Sequence, residues 1–65
     1  MNHHEILETV KADILQAALA DIAFEGFADA VVNKAAQSVG IEPSELALAF
    51  PRGGIDLAIY FVRHG

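Results

Sequence analysis

The amino-acid sequence predicts an all-helical fold, on three observations. Apolar residues recur at helical spacing along most of its 65 residues. Gly26 and Gly40 stand directly after such segments, where a residue able to adopt the left-handed conformation ends a helix. Pro43 stands where a further helix would open, a position at which its missing N–H costs nothing. The expected architecture is a single domain over 1–65, a three-helix helix-turn-helix bundle followed by the start of a fourth helix. Helices are predicted at about 3–24, 28–39, 43–50 and 54–64.

The first helix is expected to start from Asn2 and Glu5, spaced as a capping box with Asn as the cap. Leu7, Val10, Ile14, Ala18 and Ile22 then share one face, with Glu5, Thr9, Gln16 and Ala20 opposite. Lys11 interrupts the apolar face and is expected to lay its methylenes along it with the ammonium in water. In the second helix, Val32, Ala35, Ala36 and Val39 form the stripe. The Val31-Val32 pair does not make a strand inside an alanine-rich, helically periodic window. The third helix runs from Pro43 to Phe50, ahead of Pro51, and Arg52-Gly53-Gly54 breaks the chain. The expected core joins Ile14, Ala18, Ile22, Phe27, Val32, Ala36, Leu46 and Phe50.

The fourth segment differs from the others. Ile55, Leu57, Ala58, Ile59, Tyr60, Phe61 and Val62 surround the whole helix, a pattern that predicts burial on more than one side. Three short helices offer too little surface to cover it. Ile55, Leu57, Ile59, Tyr60, Phe61 and Val62 are therefore the candidate contact residues, toward a domain beyond Gly65 or toward a second copy of the chain.

Composition narrows the function classes. The chain has no cysteine, so neither a disulfide nor a cysteine zinc site can reinforce it. A hydrophobic content of 54% excludes disorder. Charged residues interrupt every apolar run before the roughly 18 to 20 residues that a membrane span needs. The start, Met-Asn-His-His-Glu, lacks the basic and apolar pattern of a signal peptide, and a cytoplasmic location is expected. Nine acids face Lys11, Lys34, Arg52 and Arg63, for a net charge of -5. Four scattered cations make a poor footprint for phosphates, and only Lys34 with Arg52 is a candidate for a shared basic face.

No catalytic constellation is apparent. His3 and His4 point about 100° apart on a helix and cannot chelate one metal together, and His64 lies at the other end of the chain. Glu5, Glu8, Asp13, Asp21, Glu25 and Asp29 read as a solvated face without the Glu-x-x-His partner of a carboxylate metal site. Ser44 has no adjacent base, and Gly53-Gly54 lacks the Lys and Thr of a phosphate loop. The expectation is a protein without enzymatic activity, cofactor or metal.

The stretch "ILQAALADIAFEGF" has the first-helix pattern of the TetR-type repressors, and Gly40-Ile41 sits where that family's turn falls. From Ile14 to Pro51 the chain resembles the helix-turn-helix domain of TetR-type repressors, through Ile14, Ala17, Ala18, Leu19, Gly26, Phe27, Val32, Ala36, Gly40, Leu46, Phe50 and Pro51. The residues with which those repressors contact DNA are altered. Ala30 and Val31 stand where the family has Thr at the start of helix two, Ala47 and Ala49 where helix three carries Tyr and then His, and Gly53 where a Lys follows Phe-Pro. Each change removes a donor or a charge that reaches phosphate or base edge. The third-helix segment keeps Glu42 and Glu45 and no Lys or Arg.

The segment "LALAFPRGGIDLAIYF", Leu46 to Phe61, together with "AFEGF", is similar to the ubiquinone-biosynthesis Coq family, whose members share the TetR fold and bind lipid rather than DNA. That resemblance implies a TetR-like fold and a non-catalytic accessory role in ubiquinone (coenzyme Q) biosynthesis. It also implies a downstream lipid-binding domain and a quinone-biosynthesis enzyme as partners, with any membrane attachment through parts beyond Gly65. This chain by itself is expected to form a homo-oligomer, most simply a homodimer. The alternatives are a TetR-type DNA-binding regulator and a small helical dimerisation module.

Overall fold

The computed structural model describes residues 3–64 and is all-helical. Four helices follow one another: α1 (His3–Glu25), α2 (Asp29–Ser38), α3 (Pro43–Ala49) and α4 (Gly54–His64). Each bound lies within one residue of the predicted one. No strand occurs among the described residues. The predicted Asn2–Glu5 capping box lies outside the described residues, as do the side chains of His3 and His4.

The stops work through glycine as their spacing implied. Gly26 takes φ 75° and donates its N–H to Ile22 O at 2.9 Å, ending α1. Ala28 then caps α2 in an extended conformation, its carbonyl accepting from Val31 and Val32. At the far end of α2, Ile41 N–H reaches Ala36 O at 2.8 Å and Gly40 N–H reaches Gln37 O at 3.2 Å, with Gly40 at φ 76°. This pair of bonds is a Schellman motif, and Ile41 adds its usual apolar contact by packing against the core. α3 opens with Pro43 in its first turn, and Glu42 N–H donates to Glu45 Oε1 at 3.4 Å. The two acids that mark this segment in the sequence thus close its N-terminus in a capping box.

One core forms where α1 crosses α2 and where α3 and α4 close over them. Val10, Ile14, Leu15 and Ala18 come from α1, Val31, Val32, Ala35 and Ala36 from α2, Ala49 and Phe50 from the end of α3, and Leu57 from α4. Ile22 and Leu46 are half-buried against this cluster. Phe27 departs from the expected core. It is 37% exposed in the α1–α2 connection, and Phe61 covers it from one side with ring centroids 5.5 Å apart. Val39 leaves the predicted α2 stripe in the same way, at the exposed C-cap. Val31 moves inward instead, because α2 packs against α1, α3 and α4 and so buries a wider arc than one stripe.

Candidate interaction surface on the fourth helix

The start of α4 is fixed by backbone fit and by one carboxylate. Gly54 is buried, and a Cβ there would collide with Phe27 O while lying 2.9 Å from Phe27 C and 3.1 Å from Ala28 C. Its N–H donates to Asp29 Oδ1 at 2.8 Å. Asp29, read from sequence as part of a solvated acidic face, therefore joins the first turn of α2 to the first turn of α4. In the same first turn, Asp56 accepts the Arg52 backbone N–H at 2.6 Å and the Arg52 guanidinium at 2.7 Å. The backbone N–H first, and then the guanidinium, hold the Asp56 carboxyl below the usual carboxylate range.

Locked in this way, α4 buries one side against the rest of the chain and leaves the other exposed. Leu57 is wholly inside the core and has no area left to offer a partner, which removes it from the contact set. Tyr60 is half-buried, edge-on to Phe50 at 5.9 Å between ring centroids. Phe61 turns toward Phe27. The outer side presents Ile55, Ile59 and Val62, which are 60%, 39% and 82% exposed. These three recur at i, i+4 and i+7 and form a single apolar stripe opposite Leu57. The sequence signal could not separate the two sides because both are apolar.

A cleft of about 330 Å³ lies along one flank of α4, against α1. Ile59 and the half-buried Tyr60 contribute apolar surface, and Lys11, Arg52, Arg63 and His64 contribute donors. His64 is not isolated, since its ring centroid sits 4.4 Å from that of Tyr60. Burial, aided by the Glu8 carboxylate, pushes the Tyr60 hydroxyl above the ordinary phenol range. Lys11 is half-buried as expected and reaches Glu8 at 3.6 Å. A second cleft of about 430 Å³ runs between α2 and α3, past Asp29, Asn33, Leu46 and Ala47.

The basic face considered for Lys34 and Arg52 does not form. Lys34 pairs with Asp21 at 3.4 Å and Arg52 with Asp56, so each cation is held by its own acid. On α3, Ser44, Glu45, Ala47 and Leu48 are exposed, and Leu48 is 71% so. Among the described residues no three His, Asp or Glu side chains come together as metal ligands, and no helix is long and apolar enough to cross a membrane. Comparison with known proteins gives no match to a protein family, a curated protein or a solved structure.

Proposed function

We propose that this chain is a non-catalytic accessory of ubiquinone biosynthesis with a TetR-like, lipid-associated relationship to the Coq family, and that α4 is its contact surface. The observation that carries the interaction role is the stripe of Ile55, Ile59 and Val62 on the outer side of α4. An apolar row of this kind on a small acidic domain favours a protein partner, here a second copy meeting it about a two-fold axis. The quinone assignment rests on the Leu46–Phe61 segment, whose Phe50 and Leu57 are core positions and whose Gly54 admits α4 close to the α1–α2 connection. A DNA-binding regulator is disfavoured by α3, where the exposed charges are acidic and one of them caps the helix.

Deletion of the gene is expected to lower ubiquinone in lipid extracts. The parent chain should restore it, whereas a chain carrying Ile59→Asp and Val62→Asp should not. Normal ubiquinone in the deletion strain would overturn the quinone assignment. Full rescue by the doubly substituted chain would overturn the role of α4. In sedimentation equilibrium at about 0.5 mM, a range in which weak contacts are populated, the parent should associate and the substituted chain should run as a monomer.

A further inference from the structure

We propose that the cleft between α1 and α4 binds a small organic carboxylate with a compact, apolar body. The inference is independent of the quinone assignment, and the cleft shares one residue, Ile59, with the α4 stripe. It starts from the distribution of charge. Three of the chain's four Lys and Arg residues, Lys11, Arg52 and Arg63, line this one cleft, although the chain carries -5 overall. Two carboxylates line it as well, Glu8 and Asp56, and each is engaged: Glu8 by Lys11 at 3.6 Å and Asp56 by Arg52 at 2.7 Å. Arg63 is exposed and has no ion pair among the described residues. Its planar fork of donors matches a carboxylate, which it can hold through two parallel hydrogen bonds.

The remaining excess of a single positive charge selects a monoanion. A dianion would lie close to Glu8 and Asp56 without a second uncommitted cation to balance it. The cleft supplies the apolar half of the recognition through Ile59, which is 39% exposed, and the half-buried Tyr60, while Phe50 is almost wholly inside the core. Its volume of about 330 Å³ is at the small end of ligand sites. That size suits a single ring and excludes a nucleotide or a long acyl chain.

The test uses the intact chain and follows backbone amide NMR shifts during titration with benzoate, with benzamide as the neutral analogue and inorganic phosphate as the anion lacking a ring. Benzoate should give saturable shifts at Lys11, Phe50, Tyr60 and Arg63, with a Kd on the order of 1 mM. Benzamide should bind at least about fivefold more weakly, and phosphate should not saturate in the same range. Arg63→Gln, at an exposed position, should weaken benzoate at least about fivefold while leaving the thermal melt unchanged. The proposal is overturned by any of four results: no saturation by benzoate, equal binding of benzamide, binding of phosphate as tight as that of benzoate, or unchanged benzoate affinity in Arg63→Gln. Shifts confined to the α2–α3 cleft would overturn it equally.

Discussion

Phe50→Ala should destabilise the chain by about 3–5 kcal/mol, the usual cost of removing a buried phenylalanine and leaving a cavity. Phe50 is 3% exposed and ends α3 where the chain turns toward α4. Its ring touches the core on one side and Tyr60 on the other. At the common scale of 0.05–0.15 kcal/mol per residue, a domain of this size has about 3–10 kcal/mol in total. The variant should therefore be largely unfolded at room temperature or close to it. Phe24→Ala is the matched control: Phe24 is 89% exposed, and its loss should stay within about 0.5 kcal/mol. Urea melts followed by circular dichroism compare the two. Equal midpoints for Phe50→Ala and the parent would show that the ring does not fill the core.

Gly54→Ala should be the next most damaging change, although helix propensity alone predicts the reverse. Alanine is favoured over glycine in a helix by about 1 kcal/mol. Here the added methyl would meet the Phe27 carbonyl, part of the main chain, which has no rotamer through which to withdraw. Overpacking of this kind costs about 1–3 kcal/mol and more when the backbone must move. Moving the start of α4 also breaks the bond from Gly54 N–H to Asp29 and withdraws Leu57 from the core. Gly40→Ala separates steric collision from backbone strain. A Cβ at Gly40 meets open space, so only its φ of 76° opposes the change, at about 1–2 kcal/mol. Guanidinium unfolding should rank the stabilities as parent, then Gly40→Ala, then Gly54→Ala. A Gly54→Ala chain as stable as the parent would mean that α4 is not held at this point.

The two experiments probe different kinds of information in the chain. Phe50 was legible as a core residue because it closes an apolar period just before a proline, a signal contained in a few consecutive residues. The same holds for Ile14 and Ala18 on α1, and for Gly26 and Gly40, whose left-handed backbone the sequence spacing anticipated. Gly54 was legible only as part of a chain break. Its contact with Phe27, and the bond to Asp29 from 25 positions away, exist only when α4 folds back onto the α1–α2 connection.

The candidate surfaces divide along the same line. By itself the sequence determined an all-helical chain, the limits of its four helices and the abundance of apolar residues in the last of them, because periodicity, glycine and proline act over a few residues. Tertiary structure alone decided which side of α4 is covered, sending Leu57 inward and leaving Ile55, Ile59 and Val62 outside. It also decided that Asp29 ties two helices together and that Lys11, Arg52 and Arg63 share a cleft. Both outcomes depend on the angles at which helices cross. Those angles are set by the fit of surfaces far apart in the chain, and no local run of residues encodes that fit.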